Sequence, residues 1–371
     1  MTDLTLPASV LLAGGGSAGH VSPLLALADR LRELRPDMAV AALGTETGLE
    51  ARLVPARGYP LHAIPKVPLP RKPSPALLAV PGKLKEAVAA VNRALDETRA
   101  EVVVGFGGYV STPAYLAARR RGLPIVIHEQ NARPGLANRL GARLTPFVGT
   151  TFESTKLTHA RRVGMPLRRE ISSLDRPARR AQALAHFGLA DSRPTVLVTG
   201  GSLGAKRLND AFSARVLELS EAGIQVLHVT GSGKGFAVPD VGAGARYVLT
   251  EYVDAMDLAY AAADFVVARS GANTVCELTA LGLPAVYVPL AIGNGEQKLN
   301  AADVIAAGGG LLVKDADLTP TWVTATLIPL LGDTARVEAM AARAAEVGER
   351  GGDQLLTELV AQAFASTIAR P

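Results

Sequence analysis

The first stretch able to do chemistry is "VLLAGGGSAGH", residues 10–20, an apolar run that breaks into glycines and ends on His20. Gly14, Gly16 and Gly19 fit the spacing G-x-G-x-x-G, which lets backbone amides approach a phosphate where a strand turns into a helix. A nicotinamide-binding domain also needs a carboxylate about 20 residues further on, closing the second strand, to hold the ribose hydroxyls. Here that strand reads "MAVAALG" and the candidate carboxylate, Glu46, lies well beyond the expected spacing. An NAD-dependent oxidoreductase is disfavoured on that ground, and a histidine directly after the last glycine is not explained by pyrophosphate binding.

A second glycine loop, "TGGSLGAKRLN" at residues 199–209, sets backbone N–H groups, the Ser202 hydroxyl and Lys206 at a helix start. That is an anion site suited to a phosphate or diphosphate. It is not a P-loop, because G-x-x-x-x-G-K-[ST] occurs nowhere, so nucleotide hydrolysis loses its main support. In "VVARSGANTVCEL", residues 266–278, Arg269, Ser270, Gly271 and Ala272 form a turn whose amides, with Asn273 or Thr274, suit a diphosphate, while Glu277 suits a ribose diol. The plainer alternative is that Thr274 and Glu277 are ordinary first-turn helix residues. "PLAIGNGEQKLNAA", residues 289–302, offers Asn294, Glu296, Gln297 and Asn300, a density of amides and carboxylates that suits sugar hydroxyls; a helix start capped by Asn294 is the alternative. "IVIHEQNARPG", residues 125–135, puts His128, Glu129, Gln130 and Asn131 together at a strand end, where His128 reads equally well as a core histidine. No His/Cys cluster supports a metal, and Asp315 and Asp317 in "LVKDADLTP" read as helix-capping residues rather than Mg²⁺ ligands.

These loops need elements to hold them. Short apolar runs alternate with amphipathic stretches along the whole chain, the signature of parallel sheets covered by helices. The pattern also restarts: residues 9–31 have their counterpart in 194–219, and "EVVVGFGGYVSTPAYLAARR" in "ADFVVARSGANTVCELTAL". Two doubly wound α/β domains of similar plan are expected, facing across a cleft, with the glycine loops at the carboxyl ends of their strands. The boundary is expected within residues 161–180, where proline and charge accumulate, and the amphipathic tail from residue 351 reads as a closing helix on either domain.

With 371 residues, 48% of them hydrophobic, 20% charged and 4% aromatic, the chain has material for two cores built mainly from Ala, Val and Leu. No apolar run approaches the roughly 20 residues of a membrane span, the start lacks the features of a secretory signal, and Cys276 is the single cysteine. A cytoplasmic protein is expected. Its net charge of +5 permits attraction to phosphates or anionic lipid without choosing between them. In residues 64–85 apolar Leu77, Leu78, Val80 and Leu84 interleave with Arg71, Lys72, Lys83 and Lys85. This is a candidate membrane-surface patch, with a proline-rich loop leading into a core-facing helix as the alternative.

Taken together, "AGGGSAGHVSP", "GFGGYVSTP", "HEQN", "VGMPLR", "GGSLGAKRLN", "EYVDAM", "RSGANTVCEL" and "GEQKLNA" resemble, in order and approximate spacing over essentially the whole chain, the MurG family of peptidoglycan N-acetylglucosamine transferases. The resemblance implies a GT-B fold: an N-terminal acceptor and membrane-associating domain (1–165, joined by a C-terminal helix, 351–371) and a C-terminal UDP-GlcNAc domain (166–350). It implies inverting transfer of GlcNAc from UDP-GlcNAc to the 4-hydroxyl of undecaprenyl-pyrophosphoryl-N-acetylmuramyl-pentapeptide, with no cofactor required and a divalent cation at most stimulatory. It places the protein peripherally on the cytoplasmic face of the cell membrane, with an anionic lipid surface and cell-wall synthesis proteins as partners and nucleic acid excluded.

Carried over by residue, Tyr252, Val253 and Met256 surround the uracil, Glu277 holds the ribose, and Ser202 with residues Ser270 to Thr274 faces the diphosphate. Gln297, Glu296 and Asn131 read the sugar, with Ser17 and Gly19 of the first loop also on the donor. Arg168 lies at the domain junction, and His20, Tyr109 and Glu129 line the acceptor side, with His20 the candidate base and the first-loop amides a candidate seat for the lipid diphosphate. The chain departs from the family pattern at Leu203 and Lys206, where Gln and Arg are common, at Glu296, where a second Gln is frequent, and at Ser17-Ala18, where Thr-Gly is frequent. Rival readings are a nucleotide-sugar epimerase, another GT-B transferase with a different acceptor, and a membrane-associated scaffold that binds UDP-sugars without turnover.

Overall fold

The structure, a computed structural model, describes residues 4–67, 76–201, 204–290 and 294–368, with only the backbone described at 76–78. Two compact units divide the chain, residues 1–168 with 350–371, and residues 169–349.

Among its described residues the N-terminal unit holds seven strands: β1 Ser9–Gly14, β2 Ala39–Gly44, β3 Leu61–Ala63, β4 Val102–Gly107, β5 Ile125–Glu129, β6 Phe147–Thr150 and β7 Ala160–Arg162. They pair in parallel in the order β3-β2-β1-β4-β5-β6-β7. Every residue of β1 and β4 is buried, as central strands of a sheet covered on both faces must be. The period of two sorts β1 between layers. Val10 and Leu12 pack with helix Ala18–Leu34, whereas Leu11 and Ala13 pack with helices Ala76–Thr98 and Ser111–Arg120. The C-terminal helix Gly352–Ile368 places Leu356, Leu359, Val360 and Ala363 in the first of these layers, at i, i+3, i+4 and i+7.

The second unit repeats the plan with β8 Thr195–Thr199, β9 Gln225–Val229, β10 Tyr247–Thr250, β11 Phe265–Ala268, β12 Ala285–Tyr287 and β13 Gly310–Leu312. Their order, β10-β9-β8-β11-β12-β13, is again wholly parallel. In each unit the chain reverses its direction of travel across the sheet at the first strand, so β1/β4 and β8/β11 are the topological switch points where open α/β sheets bind ligands. Both glycine loops leave the sheet there.

The helix Ala76–Thr98 corrects one expectation about the basic segment. Leu84 packs against the core beside Val88, Val91 and Leu95, on the helix's inward stripe, and so is not part of an outward apolar patch. Lys83 and Lys85 are exposed and Val80 is half-buried. Lys72 and the side chains of Leu77 and Leu78 lie outside the described residues. Among the described residues no helix is long and apolar enough to cross a membrane.

Candidate active site

In the N-terminal unit, the first glycine loop leads from β1 into helix Ala18–Leu34, whose first turn carries His20. His20 is half-buried, and its Nδ1 lies 3.1 Å from the Gly15 carbonyl oxygen and 3.1 Å from Ser17 Oγ. A carbonyl oxygen can only accept, so neutral His20 carries its proton on Nδ1 and presents Nε2 as the basic nitrogen. Nε2 points toward the end of β4, where a side chain at Gly107 would meet it. Burial lowers the imidazole's pKa from 6.5, opposed by the Gly15 carbonyl and by the charge of Glu50.

The strand ends are tied together from below. The buried Ser111 hydroxyl donates to Ala13 O (2.9 Å) and lies 2.7 Å from Gly107 O, while the Gly107 N–H donates to it at 3.0 Å. Glu50 is fully buried, and its carboxylate accepts from Gly16 N–H (2.8 Å), Thr45 N–H (2.9 Å) and the Thr45 hydroxyl (2.8 Å). The Gly16 amide, expected to meet a lipid diphosphate, is therefore already spent on a carboxylate. Sequence reasoning missed Ser111 and Glu50; the glycines crowded around Glu50, at positions 44 and 48, were the available signal.

Glu129 also turns inward. It is 2% exposed and accepts from Asn131 N–H (2.9 Å), Gly135 N–H (3.0 Å) and Asn138 Nδ2 (3.0 Å), so it braces its own loop instead of presenting a carboxylate to an acceptor. Burial raises its pKa against these hydrogen bonds. Asn138 in turn accepts from the Tyr115 hydroxyl at 2.7 Å. His128 is a satisfied core residue, bonded to Gly164 O and Gln130, with burial bringing its pKa down to about 4. Tyr109 is 44% exposed, with the Lys66 ammonium 5.0 Å from its ring centre. Arg168 closes the unit, half-buried.

In the C-terminal unit the loop after β8 turns through Gly201 and Gly204, both at positive φ. At Gly204 a Cβ would strike the Thr230 carbonyl, so only glycine fits. Ser202 and Leu203 lie outside the described residues. Lys206 is exposed and paired with Asp210 at 2.7 Å along the helix Lys206–Ser213.

Beside this loop, β11 is followed by Arg269 and Ser270, and helix Ala272–Ala280 begins with Gly271 as its N-cap residue. Ser270 is fully buried and its Oγ has no hydrogen-bond partner among the described residues. A hydroxyl desolvated in this way at a helix N-terminus is poised to donate to an anion. Glu277 is buried about two turns further along, with one carboxylate oxygen held by the Tyr260 hydroxyl at 2.8 Å. Asn273 and Thr274 are half-buried in the first turn, Tyr252 is half-exposed, and Val253 and Met256 are partly buried. Gln297 accepts from Leu290 N–H (2.9 Å), Glu296 from Asn294 N–H (3.2 Å), and Asn300 donates to Ser270 O (3.3 Å). Asp315 is not a helix cap: it pairs with Arg269 at 2.6 Å, and Thr319 caps the next helix by accepting from Trp322 N–H.

Two Rossmann-like parallel-sheet units, each with a glycine loop at its switch point, are the two domains of the GT-B fold. Residues 10–148 match the glycosyltransferase family 28 N-terminal domain and residues 195–356 its C-terminal domain. A UDP-N-acetylglucosamine--N-acetylmuramyl-(pentapeptide) pyrophosphoryl-undecaprenol N-acetylglucosamine transferase of Leifsonia xyli subsp. xyli is 59% identical over 350 residues, 94% of this chain and 97% of that one. One of the same name from a Nocardioides species is 57% identical over 364 residues, covering 97% and 100%. The crystal structure of Acinetobacter baumannii MurG superposes with a TM-score of 0.76 at 29% identity, covering 94% of this chain and 98% of that one. The chain belongs to glycosyltransferase family 28, among the MurG N-acetylglucosamine transferases.

Proposed function

We infer that this protein transfers N-acetylglucosamine from UDP-GlcNAc to the 4-hydroxyl of undecaprenyl-pyrophosphoryl-N-acetylmuramyl-pentapeptide, producing lipid II and UDP. The kinship over nearly the full chain carries the reaction; the observation that best supports a donor site in the C-terminal unit is the buried Ser270 hydroxyl at the start of helix Ala272–Ala280, which has no partner among the described residues. In this reading Ser270, Ser202 and the amides from Gly271 to Thr274 take the diphosphate, whose growing charge on departure the helix N-terminus stabilises. Glu277, held by Tyr260, accepts from the ribose hydroxyls, and Tyr252, Val253 and Met256 enclose the uracil. Gln297, Glu296, Asn131, Ser17 and Gly19 read the sugar.

His20 Nε2 takes the proton of the attacking hydroxyl as the new C–O bond forms at the anomeric carbon. The bond to the UDP oxygen breaks on the opposite face and its electron pair leaves with UDP, so the configuration inverts. Tyr109 lines the acceptor side, with Arg168 at the junction of the units. No resident metal enters this scheme. The exposed Lys83 and Lys85 support adsorption to an anionic membrane on its cytoplasmic face, where cell-wall synthesis proteins would meet the enzyme. UDP release that requires the lipid-linked muramyl acceptor is the expected result of a coupled assay. Release without acceptor, or epimerised sugar instead of transferred sugar, would overturn the reading.

A further inference from the structure

The carboxylate of Glu50 has no part in the scheme above, yet it is one of the least expected groups in the molecule. It begins the short helix Glu50–Ala56 and is wholly removed from solvent. What compensates its charge is a set of N–H and O–H dipoles: Gly16 N–H on one oxygen, and Thr45 N–H and the Thr45 hydroxyl on the other. Burial by itself would raise its pKa, but these bonds, with its own amide, hold it below the usual carboxylate value, so it is an anion at neutral pH. A buried anion without a salt bridge is costly. Room has been cleared for it: a Cβ at Gly15 or at Gly48 would run into the carboxylate.

Its position supplies a reason. One carboxylate oxygen grips Gly16, the residue after Gly15, whose carbonyl oxygen meets His20 Nδ1. The other oxygen grips Thr45, just beyond the end of β2, so the first glycine loop is pinned to the sheet through a single side chain. A pinned Gly15 carbonyl fixes the proton on Nδ1 and leaves Nε2 basic; the anion beneath then favours the imidazolium that forms when Nε2 takes a proton. We propose that Glu50 is the positioning residue of the transfer reaction: by holding Gly16 it aims the Gly15 carbonyl at His20 and so sets both the tautomer and the orientation of the base. The proposal rests on the reading of His20 as the base.

The test is a double-mutant cycle on the full-length enzyme with UDP-GlcNAc and the lipid-linked acceptor, using Glu50→Gln, which keeps size but puts an NH₂ against one of the N–H donors, and His20→Gln. Glu50→Gln is expected to lower kcat about tenfold or more while the Kd for UDP stays within about twofold, because the residues assigned to the uracil, ribose and diphosphate lie in the C-terminal unit. In the His20→Gln background the same change is expected to cost less than about twofold. Equal losses in both backgrounds, or an unchanged kcat in Glu50→Gln, would overturn the positioning role. Near-normal turnover in His20→Gln alone would instead overturn the base on which it rests, so the two failures are told apart. If Glu50→Gln does not fold, Thr45→Val removes one hydroxyl donor to Glu50 and is read through the same cycle, with a loss of about two- to fivefold expected only when His20 is present.

Discussion

The two glycine loops leave equivalent strands and open equivalent helices, but the groups beneath them differ in charge. Under the first lies a buried carboxylate, Glu50, bonded to the Gly16 amide. Under the second lie neutral groups: the Thr199 hydroxyl accepting from Gly201 N–H, the Thr230 carbonyl against Gly204, and Asn209 bridging Thr230 O and His228. The difference teaches which loop can receive a diphosphate. An anion brought to the first loop meets repulsion on the order of 2 kcal/mol per unit charge about 8 Å away at an effective dielectric near 20. Among the described residues no carboxylate accepts from a backbone amide of the second loop, and the neighbouring Ser270 hydroxyl has no partner among them. On the proposed reading the first loop holds the imidazole that acts as base and the second takes the diphosphate of the nucleotide.

The largest expected effect comes from removing the imidazole. His20→Ala should lower kcat by about 10²- to 10⁴-fold, the usual worth of a general base, while UDP affinity measured by calorimetry stays within about twofold. A comparable loss of UDP affinity would erase the contrast between the loops. On the other side of the comparison, Glu277→Ala should raise the Kd for UDP about 10- to 100-fold, the worth of hydrogen bonds to a charged group, with Tyr260 also losing its acceptor. Unchanged UDP binding in this variant would show that the ribose is held elsewhere.

Acidification probes both units at once, because each contains one buried neutral histidine. Burial brings His128 down to about 4 and His228 down to about 3. The unfolded chain takes up these protons first, near pH 6.5, so stability is full above that pH and is lost as pH falls toward 4 and 3, at about 1.4 kcal/mol per unit for each histidine at most. Thermal melts between pH 7 and pH 4 should show Tm falling throughout that window; a flat profile would mean that these rings are accessible to solvent. Turnover should also fall on acidification, but with an inflection below 6.5, as His20's lowered pKa requires. The smallest effect belongs to Lys206→Ala. Its ammonium is exposed and paired with Asp210, so the KM for UDP-GlcNAc should change less than about twofold; a tenfold rise would return Lys206 to the diphosphate.

Much of this was legible in the chain because it is local. A strand, a glycine turn and a helix lie within some 25 consecutive residues, and the repetition of that unit at residues 9–31 and 194–219 announced two parallel sheets of one plan. Ser270 and Glu277 could be singled out because they lie only about two helical turns apart in sequence. What escaped was contact between distant segments. Glu50 lies 34 positions from Gly16, and Ser111 lies 98 from Ala13, so no spacing rule reaches them. Direction escaped as well: Glu129 turns into its own loop, Asp315 reaches back to Arg269, and Leu84 turns to the core, because packing and pairing decide which way a side chain points once several elements meet.

The contrast between the loops is tested most directly by backbone amide resonances of the isotope-labelled enzyme as UDP is added. The account predicts shifts at Gly271, Asn273 and Thr274 and around Tyr252, with Gly15, Gly16 and Gly19 unmoved. Shifts concentrated at Gly15, Gly16 and Gly19, with the segment after β11 silent, would contradict it.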